Sequence, residues 1–268
     1  MGKRSKIRGW RKITTAAWDD LTDPQIYGDI EVDAGEIMSF IEEARAKADV
    51  KLSVTHIAGK AVAHALGQHK DLNVRMHRGD FVQRDTVDVF FIVSMGAGSE
   101  LSGVKVERAD EKPVVEIARE LSQRADRIRN DDDPEFGKTK RMLDRTPLWL
   151  LAKSIRMSAW LTSDRDLDLK KYGLPRQAFG SVIVSSVGMF GITHAYAPLA
   201  QYYRIPFLIL VGAVEEKPAV RDGQVVARPL LNISATMDHR YLDGFHAARL
   251  AKSLREYLAD PRKFEPAL

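Results

Sequence analysis

Apolar and polar positions alternate most regularly near the C-terminus. Leu231, Ile233, Ala235 and Met237 interleave with Asn232, Ser234 and Thr236, which predicts a strand with one buried face. The period then changes: Ala247, Leu250, Ala251, Leu254 and Leu258 recur at helical spacing. Between the two patterns lies Asp238-His239-Arg240-Tyr241-Leu242-Asp243-Gly244, so His239 stands at a strand end and Asp243 where a helix begins. A strand end on a rigid sheet is a good mount for a catalytic group. An exposed turn histidine and an ordinary helix cap are the plainer alternatives.

The rest of the chain divides in the same way. Tyr27 to Asp33 alternates as a strand, and 35–48 and 54–66 read as helices. Asp88 to Met95 carries the apolar run Val89-Phe90-Phe91-Ile92-Val93, which predicts a strand buried on both faces, and Leu101 to Val106 predicts another. Pro113 opens a helix that runs to Arg129 and breaks at Asn130-Asp131-Asp132-Asp133-Pro134. Residues 147–151 and 157–161 predict an apolar helix punctuated by Lys153 and Arg156. Its first expected role is packing on the domain and its second an acyl-chain or entrance wall; a membrane-surface role comes third. Gly180 to Ser186, Thr193 to Tyr196, Phe207 to Val214 and Gln224 to Ala227 read as strands, with Asp222-Gly223 turning a hairpin between Val220 and Val225. Strands from both ends with helices between them predict an α+β sandwich. With no repeat or Gly/Ser linker in view, one domain over 1–268 is expected.

Composition narrows the chemistry. The 268 residues include no cysteine, which excludes disulfides, thiolate metal sites and a cysteinyl acyl-enzyme. His56 and His64 share a helical face without a third ligand nearby, so they read as helix residues and no metal is expected. Gly96-Ala97-Gly98 lacks the third glycine of a dinucleotide fingerprint and reads as a turn. The net charge of +4 is spread along the chain except for a basic arm from Lys3 to Lys12, taken as a solvated tail rather than a nucleic-acid or lipid contact. Without a signal peptide or a run long enough to span a bilayer, a soluble cytoplasmic protein is expected.

The heptapeptide resembles the active-site signature of the dihydrolipoamide acyltransferases of 2-oxoacid dehydrogenase complexes, whose catalytic domains are similar to chloramphenicol acetyltransferase. Arg11-Lys12-Ile13, Lys70-Asp71-Leu72-Asn73, the Glu116-to-Glu120 part of the helix and Gly180-Ser181-Val182-Ile183-Val184-Ser185-Ser186-Val187-Gly188 match in order. The resemblance covers nearly the whole chain apart from a family-atypical stretch at about 130–177. His-x-x-x-Asp-Gly also occurs in peptide-condensation domains, which usually carry a second histidine where this chain has Asp238.

The resemblance implies a chloramphenicol acetyltransferase-like α+β sandwich, a mixed sheet covered by helices. It implies transfer of an acyl group between coenzyme A and a thiol, with His239 as general base and Ser185 as oxyanion donor; Ser186 next door leaves that register open by one. Asp243 would hold the loop through an ion pair with Arg11, a role compatible with a helix cap. A homotrimer is implied, with His239 facing Ser185 of the next subunit. The chain shows neither a lipoyl nor a peripheral subunit-binding domain, so the expected acceptor is a lipoyl group in trans, on a partner protein or a 2-oxoacid dehydrogenase component. Ser99 to Val104 and Tyr203 to Pro206 depart from the family's patterns and leave the acceptor pocket open. The alternatives are a small-molecule acetyltransferase of the chloramphenicol type and a non-catalytic trimeric scaffold. His194 and His246 lie off the matched positions and receive no role.

Overall fold

A computed structural model describes residues 4–5, 24–95, 100–129 and 147–266. Among them the elements run β1 (Arg4–Ser5), β2 (Gln25–Asp33), α1 (Gly35–Ala48), α2 (Val54–Gln68), β3 (Val74–His77), β4 (Asp80–Gln83), β5 (Val89–Met95), β6 (Glu100–Val106), α3 (Val114–Arg129), α4 (Leu148–Ala159), β7 (Val182–Ser186), β8 (Phe207–Arg221), β9 (Gln224–Asp238) and α5 (Gly244–Ala259). The main sheet has the order β2-β9-β8-β7-β5-β6, and a smaller one the order β1-β4-β3. In the main sheet β5, β7 and β8 are parallel and the other pairs antiparallel. The mixed sheet covered by helices is thus present.

The β8–β9 hairpin turns where expected. Val220 pairs with Val225, and Asp222 and Gly223 both adopt left-handed φ (51° and 76°), as a two-residue hairpin turn requires. Both strands extend much further than their alternating cores suggest, to fifteen residues each.

Pleating sends alternate side chains to opposite faces. Val89, Phe91, Val182, Val184, Ile209, Leu231 and Ile233 pack beneath Ile37, Phe40, Ile57, Leu66, Ile117, Tyr257 and Leu258 of α1, α2, α3 and α5. On the opposite face Ile183, Leu208 and Leu210 pack with Leu199 and Ile205, and Phe90 and Ile92 join them. The β5 run therefore meets apolar neighbours on both sides, as its unbroken hydrophobicity predicts. For β9 the expectation of one buried face is corrected: Asn232, Ser234 and Thr236 are buried too. Hydrogen bonds offset that burial, with Ser234 donating to Asn232 (2.9 Å) and Asn232 donating to Asp29 (3.0 Å).

Other expectations also change. The segment 193–200 is not a strand. It runs from beside β8 to β2, where Gln25 accepts from Leu199 N–H (2.7 Å) and the Tyr196 hydroxyl donates to Asp29 (3.1 Å). It comes so close to β8 that a Cβ on Gly212 would lie 2.1 Å from the Thr193 carbonyl oxygen. The β3–β4 hairpin has no counterpart in the sequence reading, because Val74–His77 is buried at all four positions and shows no alternation. The helix expected over 147–161 forms as α4 but does not bury its apolar face: Trp149 is 70% exposed, and Met157 and Trp160 are exposed as well. No helix among the described residues is long and apolar enough to cross a membrane.

His56 and His64 have structural partners. His56 completes the cap of α2, its Nδ1 accepting from Ser53 N–H (3.1 Å), and His64 packs against Tyr257 and Phe264. Among the described residues no group of three potential ligands is placed to hold a metal. Burial, followed by the charge of Arg45, lowers the His56 pKa to about 4. The unfolded chain therefore binds this proton more readily than the fold does. The stability due to neutral His56 is complete above about pH 6.5 and is lost as pH falls toward 4, by at most about 3 kcal/mol. Denaturant titrations at pH 7 and pH 4.5 should show this loss in the wild type and a smaller one in His56→Gln; equal losses would remove His56 as the cause.

Candidate active site

The signature turn is held from beneath by buried groups. Asp238 ends β9 almost fully buried, and the Arg240 guanidinium donates to both its oxygens (Nε to Oδ1 3.0 Å, Nη2 to Oδ2 2.7 Å), while Arg240 N–H also donates to Oδ1 (2.9 Å). Two residues apart, the pair closes a tight loop that carries His239 at its apex. The His239 N–H is tied to the Pro24 carbonyl (2.9 Å) and its side chain is half-buried. Tyr241 is buried next to the pair. Its hydroxyl accepts from Met76 N–H (3.2 Å) and donates to the Arg204 carbonyl (3.4 Å), and burial pushes its pKa up to about 12, with Asp238 adding to the shift. The loop is therefore pinned to the β3–β4 hairpin on one side and to the segment before β8 on the other.

Removing one member of a buried charge pair leaves the other uncompensated, at a cost of about 3–5 kcal/mol. Arg240→Ala should show a loss of that size in chemical denaturation. A change below about 1 kcal/mol would mean that the pair does not hold the loop.

Asp243 caps α5. It accepts from His246 N–H (3.2 Å), and His246 Nδ1 donates to its Oδ1 at 2.5 Å; a carboxylate cannot donate, so Nδ1 carries the hydrogen. His246, given no role from the sequence, thus holds Asp243. The readable signal was its position three residues beyond an acidic cap, where side chains bond back to the cap. Arg11, the expected partner of Asp243, lies outside the described residues. His194 is exposed on the 193–200 segment, next to the Thr193 hydroxyl (3.3 Å).

Ser185 and Ser186 end β7 and face opposite ways. Val182 and Val184 belong to the helix-side core, so Ser186 shares that face and donates to the Val211 carbonyl of its own sheet (3.4 Å). Ser185 follows Ile183 onto the other face, half-buried. Just beyond it Met189, Phe190 and Ile192 are 63%, 53% and 43% exposed, an apolar patch of the kind a second chain covers.

The register also measures the separation of Ser185 and His239. Ser185 pairs with Leu210, and Leu210 pairs with Ser234, which precedes His239 by five residues. At about 3.4 Å per residue along the strand and about 4.8 Å between strands, Ser185 lies about 20 Å from His239 of its own chain. Within one chain the two do not meet.

Comparisons with known proteins give the family and the fold. The family described as 2-oxoacid dehydrogenases acyltransferase (catalytic domain) matches residues 2–133 and 160–265, and the gap falls inside the stretch set apart at 130–177. The dihydrolipoyllysine-residue acetyltransferase component of the pyruvate dehydrogenase complex of Bacillus subtilis is 25% identical over 97% of this chain and 50% of its own. This chain thus spans about half the length of that relative. A solved dihydrolipoamide acetyltransferase of Azotobacter vinelandii superposes with a TM-score of 0.66 at 23% identity, covering 94% of this chain and 87% of its own. A chloramphenicol acetyltransferase superposes at 0.60 with 16% identity, covering 96% of this chain and all of its own.

Proposed function

We propose that this chain, which belongs to the family of acyltransferase catalytic domains of the 2-oxoacid dehydrogenases, moves an acyl group between coenzyme A and a thiol at a site shared by two subunits of a trimer. The observation that carries the reading is the pairing of a rigidly held His239 with a Ser185 too distant to serve it within the same chain. A cyclic trimer brings one chain's histidine to the next chain's serine at each of its junctions. The exposed patch beside Ser185 supplies an apolar contact for that junction.

In the proposed reaction the His239 imidazole takes the proton of the acceptor thiol. The thiolate attacks the carbonyl carbon of acyl-coenzyme A, and the resulting oxyanion accepts a hydrogen bond from the Ser185 hydroxyl. Collapse expels the coenzyme A thiolate, which takes the proton from the imidazolium and leaves His239 neutral. Asp243 keeps the helix start, and with it the loop, in place. No metal is part of the scheme. The Azotobacter vinelandii structure is described as bearing on the catalytic roles of a serine, a histidine and an asparagine, the last two spaced as His239 and Asp243 are here. A dihydrolipoyl group in trans is the proposed acceptor, supported by the name of the Bacillus subtilis relative, and its bearer is a component of a 2-oxoacid dehydrogenase complex. The whole of 1–268 is read as one catalytic domain.

Ser185→Ala tests the assignment. Loss of a single oxyanion donor should lower kcat by about 10²–10³ with KM little changed, whereas Ser186→Ala should stay close to wild type. The reverse pattern in an acyl-coenzyme A assay would move the donor to Ser186.

A further inference from the structure

A cavity of about 720 Å³ opens at the start of β5 and the end of β6, on the same end of the sheet as His239. The cavity borders the signature turn: Arg84 in its lining and Tyr241 of the turn both donate to the Arg204 carbonyl (3.4 Å each). Its floor is Arg84, 8% exposed on a residue that follows β4. The Arg84 guanidinium has only neutral partners among the described residues. Nη1 donates to Gln177 Oε1 (2.5 Å) and Nη2 to the Arg204 carbonyl (3.4 Å), while Nε, itself buried, has none.

Two of the four lining carboxylates are held by other cations or backbone. Asp166 accepts from Arg75 (2.7 Å), Arg176 (2.7 Å) and Gln177 (3.0 Å), and Asp88 accepts from Arg108 N–H (3.1 Å) and lies 3.6 Å from Lys105. A buried cation without a hydrogen-bonded carboxylate is unfavourable, and burial lowers the Arg84 pKa to about 10 although the charges of Asp88 and Asp166 oppose the shift. Structural arginines are normally buried with a carboxylate; this one lines an open cavity instead. The lining carries six arginine or lysine side chains against four carboxylates; Arg108 pairs with Glu111 outside the lining, which leaves an excess of one positive charge that suits an anion. The volume is in the range of small-molecule sites, roughly 300–1,000 Å³.

We propose that this cavity is a binding site for a phosphate-bearing small molecule, with the Arg84 guanidinium as its buried anchor. Guanidinium groups match phosphate oxygens in a fork and are the usual choice for buried anion recognition. Arg84 is a binding residue in this proposal and takes no part in proton transfer. The site stands on its own geometry, so its test is binding and not turnover.

The probe is inorganic pyrophosphate, titrated into the full chain and followed by calorimetry and by thermal unfolding. Wild type should show saturable binding and a rise in Tm with concentration. Arg84→Met, which keeps most of the volume and removes the charge, should fold with an unchanged or raised Tm and lose at least about tenfold in affinity. Arg84→Lys keeps the charge without the fork and should lie between them, which preserves the test if the methionine variant fails to fold. Competition with coenzyme A then identifies the source: displacement of pyrophosphate assigns the site to the nucleotide phosphates of the proposed donor, and its absence to a separate phosphate compound. Absence of pyrophosphate binding to wild type, or equal binding to the Arg84 variants, would overturn the proposal.

Discussion

Replacing His239 with alanine should lower kcat by about 10²–10⁴ and leave the fold intact, because general-base catalysis by a positioned histidine contributes on that scale. The expectation of an unchanged fold comes from the architecture of the turn. Asp238, Arg240 and Tyr241 carry the buried contacts that hold the loop, and the loop's backbone bond at His239 runs from its N–H to Pro24, which alanine keeps. His239→Ala and Arg240→Ala should therefore separate cleanly: the first loses turnover with near-normal stability, the second loses stability. A steady-state acyl-coenzyme A assay beside a urea melt reads both. Wild-type turnover in a folded His239→Ala protein would remove the histidine from the chemistry.

The elements nearest the site were the most legible in the sequence. Period-2 alternation in 231–237, helical spacing in 247–258 and the acidic residue between them placed His239 at a strand end and Asp243 at a helix start, and both are found there. Asp222-Gly223 was equally readable, because few residue pairs accept two successive left-handed conformations. Other features depend on tertiary context and left no periodic trace. The β3–β4 strands are four residues long and mostly buried, so no alternation marks them. The segment at 193–196 has apolar and polar residues in a strand-like order, yet it forms no strand, and the β8 strand it approaches is already paired on both sides. The support of the site was harder still. Asp238 and Arg240 read as two ordinary charges of a turn, and only burial makes them a pair on which the loop depends. The exposed apolar face of α4 shows the converse, since hydrophobic spacing predicts a helix but not what covers it.

In the proposed trimer no single chain holds a complete site, and each junction between two chains does. Subunits that carry His239→Ala keep Ser185, and subunits that carry Ser185→Ala keep His239. Going round a mixed cyclic trimer there is one junction at which an intact histidine meets an intact serine. Random assembly in equal amounts makes about three quarters of the trimers mixed, each with one working site of three, so about a quarter of wild-type activity should return. The measurement is the turnover of the co-expressed pair, purified through different tags on the two chains and compared with each parent alone. Recovery to about a quarter of wild type, corrected for the enrichment of mixed trimers by the purification, is the predicted result. Activity that stays at the level of the inactive parents in trimers shown to contain both chains would contradict the shared site.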